Sequence, residues 1–272
     1  MINETDYESF RSFLEDACGI ILGDNKHYLV LSRLRCILDD NNIPSVSDLI
    51  TQMNKGAGAV IRESVIDAMT TNETSWFRDQ YPYDILSKDI LPALVKQKVR
   101  NVRIWSAACS TGQEPYSISM ILNEYLRGYP GAFVDPKIVA TDISATVLKA
   151  SNKGLYDGLA IARGLSNERL RLFFDKQAES WQIKESVKRF IKFQEVNLMK
   201  SLGLLGKFDV VFCRNVLIYF SHDAKKEIFE RISQVLKPGG FLFLGGTESI
   251  ASYSDRFDMI RAHGGLVFQL KS

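Results

Sequence analysis

Val102 to Ser117 reads V-R-I-W-S-A-A-C-S-T-G-Q-E-P-Y-S. Val102, Ile104 and Trp105 form a short apolar, β-rich run of the kind that lies buried in a parallel sheet. Small residues follow from Ser106 to Thr111, then Gly112, and the segment from Pro115 onward reads as helix. Pro115 suits the first turn of that helix, where its missing N–H costs nothing. A strand, a tight small-residue turn and a helix start bring backbone N–H groups and a positive dipole end around one pocket. This is the form of a nucleotide-cofactor loop, and equally of an ordinary strand-to-helix turn. Shape alone does not separate the two.

The next strand shifts the balance. Lys137 to Ser144, K-I-V-A-T-D-I-S, is an apolar run ending in Asp142 and followed by a helix-cap residue, Ser144. In doubly wound sheets a carboxylate at the tip of the second strand bonds the ribose hydroxyls of an adenosine cofactor. The dinucleotide fingerprint is missing, because Gly112 is the only glycine in the first loop. The interval to Asp142 also exceeds the roughly 20 residues of a NAD-binding unit. An adenosine cofactor without a pyrophosphate needs fewer glycines for close backbone approach, and S-adenosylmethionine is such a cofactor.

Composition bounds the rest. A chain of 272 residues, 46% hydrophobic, can bury a full core and suits one large domain plus a smaller one. No apolar run approaches the length of a membrane span and no signal peptide opens the chain, so a cytoplasmic protein without membrane insertion is expected. Cys18, Cys36, Cys109 and Cys213 are widely spaced, and His27, His222 and His263 form no ligand-spaced cluster. Neither a metal nor a disulfide framework is expected. A net charge of +2 is too small to argue for nucleic acid.

Residues 1–70 read as helix throughout. Tyr7, Phe10, Phe13, Leu14 and Ala17 recur at helical spacing, and a second helix over Lys26 to Asp39 turns Tyr28, Leu31, Leu34 and Leu38 inward. Pro44, Ser45 and Asp48 start a third helix. Lys55-Gly56-Ala57-Gly58 breaks it, and Val60 to Met69 belong to a fourth. Six Lys and Arg against eleven Asp and Glu leave this region at −5 and the remainder at +7. Lys26 and Arg33 share a helix face, with Arg35 about 200° around from Arg33. Such a face suits an acidic partner helix, although a solvated surface is the commoner use of such charges.

Thr70 to Arg78, T-T-N-E-T-S-W-F-R, has no amphipathic period. Asn72 and Thr74 offer donors and acceptors, and Arg78 a planar fork suited to a carboxylate. Equally, Trp76 and Phe77 would simply pin a surface loop to the core, and the two readings are compatible. Tyr81 to Lys98 is a helical pattern interrupted by Pro92. After Asp142 a helix runs to about Lys153, and residues 166–193 suggest a small antiparallel insert. Phe193 to Leu198 returns to the main sheet with Asn197 at its tip, and Phe208 to Cys213 is a buried strand followed by Arg214, Asn215 and Val216. A crossover helix ends at Pro238-Gly239-Gly240, Phe241 to Leu244 is a fifth strand, and Leu266 to Leu270 is the last. Alternating strands and helices give an α/β, doubly wound, mostly parallel sheet, whose ligands sit at the carboxyl ends of the strands. Asp142, Asn197 and Asn215 recur at successive tips, each with a local cap or Asx turn as its alternative reading.

N-E-T-S-W-F-R-D, W-S-A-A-C-S-T-G-Q-E-P-Y-S, A-T-D-I-S, Q-E-V-N-L, F-D-V-V-F-C-R-N-V-L-I-Y-F and L-K-P-G-G together resemble the CheR-type chemoreceptor glutamate O-methyltransferases, across nearly the whole chain. The resemblance implies a class I methyltransferase fold over 81–272 with a β-insert at about 166–193. It also implies a helical N-terminal domain over 1–70 and a connector at 71–80 that contributes to the cofactor site. It implies S-adenosylmethionine as methyl donor, S-adenosylhomocysteine as product, and glutamates on the cytoplasmic helices of methyl-accepting chemotaxis receptors as acceptors; the oligomeric state stays open, with a monomer expected. Carried over by position, it implies cofactor contacts from Asn72, Thr74, Arg78, Glu114, Asp142, Asn197, Leu198, Asn215 and Val216. Two features depart from the family pattern: the N-terminal domain is acidic overall, and the insert lacks a glycine-rich turn for docking a receptor's tether peptide.

The chemistry agrees. A glutamate acceptor, with a reference pKa near 4.3, is already a carboxylate at neutral pH, so displacement at a sulfonium methyl needs no general base. Arg78 and Tyr219 are the catalytic candidates for holding that carboxylate. Arg78 could instead grip the cofactor's own carboxylate, and Tyr219 could be a core aromatic. Two other functions stay open, a methyltransferase for RNA or a small molecule and a non-catalytic cofactor-sensing module. The sequence C-R-N-V in place of N-P-P-Y after the fourth strand weighs against nucleic-acid amino groups.

Overall fold

The structure, a computed structural model, describes residues 2–54 and 58–272. The expected break at Lys55-Gly56-Ala57 therefore falls outside the described residues. Helix α1 (Glu4–Cys18) starts where the Asn3 side chain accepts a hydrogen bond from the Asp6 N–H and ends at Gly19, whose φ of 76° is left-handed. It is followed by α2 (His27–Asp40), α3 (Val46–Met53), capped by Ser45, and α4 (Ala59–Met69). Tyr7, Phe10, Leu14, Val30, Leu34, Leu49 and Val65 are fully buried in a core belonging to these helices. Tyr28 is a correction: it is 69% exposed, because Val30 and Leu34 take the inner face of α2.

Helix α5 (Tyr81–Ile85) widens into a π turn over Leu86–Ile90 before α6 (Leu91–Lys96). Pro92 has no N–H to return to the preceding turn, which accounts for the interruption. The α/β part then runs β1 (Arg103–Ala107), α7 (Gln113–Gly128), β2 (Lys137–Asp142), α8 (Ala145–Lys153), β3 (Leu155–Asp157), α9 (Gly158–Ala162), α10 (Asn167–Phe173), β4 (Phe174–Gln177), β5 (Ser180–Ile183), α11 (Glu185–Lys188) and β6 (Ile191–Glu195). It ends with β7 (Phe208–Cys213), α12 (His222–Val235), β8 (Leu236–Phe243), β9 (Phe257–Ala262) and β10 (Gly265–Leu270).

Seven strands form one sheet in the order β6-β2-β1-β7-β8-β10-β9, parallel from β6 to β8 and antiparallel at β10. The doubly wound, mostly parallel reading is the observed fold. Its register aligns the strand tips, with Ala107 of β1 opposite both Thr141 of β2 and Cys213 of β7, and Asp142 opposite Glu195 of β6. Trp105 is fully buried in the middle and donates its indole N–H to the Thr141 hydroxyl at 3.0 Å.

Three expectations need correction. The small antiparallel sheet has the order β3-β5-β4. It begins at Leu155, ahead of the expected 166, and ends at Ile183, because Ile191 and Phe193 pack against the main core. The strand Leu155–Asp157 carries too few residues to show alternation. The strand expected from Phe241 begins at Leu236, since Lys237 precedes Pro238 and is held extended, with a bulge between Phe208 and Val210 of its neighbour. Finally, a further strand, β9, lies at the sheet edge where the sequence pattern predicts none, because its residues are largely charged or exposed.

The helical domain meets the sheet at its carboxyl edge. The Ile21 N–H donates to the Tyr219 carbonyl at 2.9 Å, and the Asn197 amide donates to the Ala17 carbonyl at 2.8 Å. A Cβ on Gly19 would lie 2.6 Å from the Phe220 ring. Gly19→Ala therefore combines a left-handed backbone with overlap at the seam between the domains. It is expected to lower stability by about 1–3 kcal/mol. The check is urea unfolding, read as a lower midpoint than wild type; an unchanged midpoint would show that the seam yields freely.

Candidate functional site

The aligned strand tips, the connector after α4 and the end of α1 enclose a cleft of about 1020 Å³, its open mouth included. Every expected site residue lines it: Asn72, Thr74 and Arg78 from the connector, Glu114 from the start of α7, and Asp142 from the tip of β2. Asn197 and Leu198 follow β6, and Asn215, Val216 and Tyr219 follow β7.

Asp142 is buried at the base of this cleft. Its two oxygens accept the Ser110 N–H at 2.8 Å and the Ser144 N–H at 3.0 Å. Burial pushes its pKa up, and the backbone donors partly offset that. Each oxygen keeps a free lone pair for a ligand hydroxyl. The loop that supplies Ser110 turns sharply, with Ala108 at φ 53° and Ser110 at φ 50°. Left-handed backbone at non-glycine residues is a strain that surrounding structure must hold. The loop's one glycine, Gly112, has φ 94°, and a Cβ there would meet the Ser151 Cβ at 2.8 Å.

Glu114 accepts from the Ser106 hydroxyl at 2.8 Å and from the Arg214 guanidinium at 3.0 Å. Burial pushes its pKa up while Arg214 and Ser106 pull it down. The Arg214 side chain is 2% exposed and also pairs with Asp79 at 2.7 Å and donates to the Arg78 carbonyl at 2.8 Å. Burial opposes its charge, but Glu114, Tyr83 and Asp79 outweigh that and hold its pKa above the ordinary arginine value. Its Nε has no hydrogen-bond partner among the described residues. Sequence reasoning assigned Arg214 no role, although a charge directly after the fully apolar strand F-D-V-V-F-C was a usable signal. Glu248 was also missed. Its carboxylate accepts from the backbone N–H groups of Asn215, Leu217 and Gly245 at 2.7–2.8 Å and so fixes the turn carrying Asn215, Val216 and Tyr219. Nothing in its irregular segment marks it.

The strand-tip residues do different things. The Asn197 side chain donates to the Ala17 carbonyl and accepts from the Met199 N–H at 2.9 Å, an Asx turn that leaves one N–H and one lone pair of the carboxamide unused. Asn215 adopts φ 57°, which asparagine tolerates. Both readings of the connector hold. Trp76 is fixed by its indole N–H to the Ala160 carbonyl at 3.0 Å and Phe77 by its N–H to the Ser117 hydroxyl at 3.1 Å, while Arg78 lines the cleft. The Arg78 guanidinium has no ion-pair or hydrogen-bond partner among the described residues. Tyr219 is half-buried against the core and reaches the cleft as well.

This set can hold an adenosyl group, with a buried carboxylate for a diol and apolar walls from Ile143, Leu198 and Val216, while the Arg78 guanidinium is suited to a carboxylate. Comparison with known proteins agrees. Residues 72–265 match the family model "CheR methyltransferase, SAM binding domain", and residues 5–70 match "CheR methyltransferase, all-alpha domain". The chain is 48% identical over 269 residues to chemotaxis protein methyltransferase Cher2 of Pseudomonas putida, covering 98% of each. It is 46% identical over 271 residues to chemotaxis protein methyltransferase 1 of Vibrio cholerae, covering 99% of this chain and 98% of that one. A cleft whose residues suit an adenosyl sulfonium, in a chain matched by these two models over residues 5–70 and 72–265, places the chain in the CheR methyltransferase family, with S-adenosylmethionine as its cofactor.

Proposed function

We propose that this protein esterifies glutamate side chains on the cytoplasmic helices of chemoreceptors, acting from the cytoplasm in sensory adaptation. The carrying observation is the contrast between two arginines in one cleft. Arg214 is neutralised by Glu114 and Asp79, whereas Arg78 has no partner among the described residues. A carboxylate arriving at the cleft meets a guanidinium that has no direct hydrogen-bond or ion-pair partner among the described residues and whose charge is felt by Glu114.

S-adenosylmethionine supplies a methyl group made electrophilic by its sulfonium. The protein's residues need only place the acceptor. A glutamate is ionised at neutral pH, and among the described residues no histidine lines the cleft. Arg78 and Tyr219 orient the acceptor carboxylate, and Asp142 accepts the ribose hydroxyls. Asn72, Thr74, Glu114, Asn197, Leu198, Asn215 and Val216 complete the cofactor's surroundings. Such alignment is worth up to ~7–11 kcal/mol of entropy supplied in advance.

With tritiated cofactor and receptor cytoplasmic fragments, the protein is expected to transfer label to glutamates as base-labile esters. Base-stable label, on nitrogen, or no transfer at all would overturn the proposal. Arg78→Met is expected to lower kcat/KM for the receptor fragment by about 10²-fold, as the loss of one oriented charge contact does; steady-state methylation assays would reveal a wild-type rate as the contrary result. Asp142→Asn is expected to weaken S-adenosylhomocysteine binding at least tenfold by calorimetry, with the circular dichroism spectrum unchanged. Its pH signature has two opposite signs. The Asp142 pKa is raised from 3.8 by burial, so the stability tied to its protonation is complete below that value and lost as pH climbs through the raised one. Cofactor affinity, which uses the carboxylate as acceptor, falls as pH descends through the raised value, and Asp142→Asn should flatten both trends.

A further inference from the structure

Arg33 lies midway along α2, on the face that the sequence offered to an acidic partner together with Lys26. The structure turns its side chain inward. One guanidinium nitrogen donates to the Met69 carbonyl at 2.6 Å and the Thr70 carbonyl at 2.9 Å, with the Ala68 carbonyl at 3.5 Å. The other donates to the Thr71 hydroxyl at 3.0 Å. Helix α4 ends at Met69 without a basic residue in its last turn. Its final carbonyls lack partners within the helix, and the negative end of its dipole favours a cation. Arg33 supplies both from the neighbouring helix, in a fork that a lysine ammonium does not reproduce.

What Arg33 holds leads directly into the cofactor cleft. The Asn72 amide donates to the Thr70 hydroxyl at 3.0 Å, and the Asn72 carbonyl accepts from the Ser110 hydroxyl at 2.8 Å. The Ser110 N–H in turn donates to Asp142 at 2.8 Å. A second link closes the same loop, because Asp67 of α4 accepts from the Ser144 hydroxyl and the Ser144 N–H donates to Asp142. Hydrogen bonds, joined through the residues that make them, thus connect α2 to the strand-tip carboxylate.

We infer that Arg33 is a positioning residue for cofactor binding. It fixes the strap Met69–Asn72 against the loop that holds Asp142, which makes the helical domain part of the cofactor site and removes Arg33 from any free basic docking face. The inference rests on the cofactor occupying this cleft, with its ribose at Asp142.

The test titrates S-adenosylhomocysteine calorimetrically into the full chain and four variants, with a fifth, Thr71→Val, in reserve. Arg33→Met is expected to weaken binding roughly tenfold, the scale of coupling through a hydrogen-bonded network. Arg33→Lys should recover only part of the loss. Arg35→Ala, at a position 83% exposed on the same helix, should bind as wild type does. Should Arg33→Met fail to fold, Thr71→Val, which removes a single acceptor, is expected to give a smaller loss in the same direction. Wild-type affinity in the folded Arg33 variants, with only the KM for receptor fragment raised, would overturn the inference and make Arg33 a partner contact. The fourth variant, Asp142→Asn, separates the two failures: if it loses affinity while Arg33→Met keeps it, the positioning role alone falls, and if both keep it, the placement of the cofactor falls too.

Discussion

A carboxylate withdrawn from water is costly unless fixed donors replace its hydration. Asp142 meets that constraint with two backbone N–H groups from different turns, one in the loop after β1 and one at the cap of α8. Satisfying it sets the shape of its surroundings. Ser110 must adopt a left-handed backbone to aim its N–H, and its hydroxyl then fastens the connector at Asn72. Ser144 caps α8 while bonding Asp67 of α4. Sheet, loop, connector and helical domain therefore take their positions from one buried acid.

The charges around the cleft follow the same economy. Breaking a buried ion pair by removing one partner costs about 3–5 kcal/mol, since it strands the other. Arg214 avoids stranding by having two carboxylates and a carbonyl, and in doing so it holds Glu114 and the Asp79 turn in place. Glu248 does the equivalent for the turn after β7, using three backbone N–H groups. Both carry structural bonds that hold the turns around the cleft. They build a wall beside which the Arg78 guanidinium has no direct hydrogen-bond or ion-pair partner among the described residues.

Much of this was legible in the sequence because it is written in local patterns. Buried strands such as F-D-V-V-F-C, cap residues such as Ser45 and Ser144, and acids or amides at strand tips have direct physical signatures. The long motif matches then gathered Asn72, Thr74, Arg78, Glu114 and the β7 turn into one site, and they do line one cleft. What stayed hidden depends on distant pairing. Arg214 matters through Asp79 and Glu114, 135 and 100 residues away. Arg33 looked like surface charge because its partners lie 35–38 residues on, at the end of another helix. Asn197 lines the cleft as expected, and its carboxamide also closes the seam with α1, a contact 180 residues apart. Edge strands such as β9 and the three-residue β3 carry too little apolar alternation to announce themselves.

The most direct test of the account is a crystal structure of the protein with S-adenosylhomocysteine bound. The account predicts the ribose hydroxyls within hydrogen-bonding distance of the Asp142 carboxylate, with the adenine between Ile143, Leu198 and Val216. A ligand bound elsewhere on the molecule, or a ribose turned away from Asp142, would contradict it.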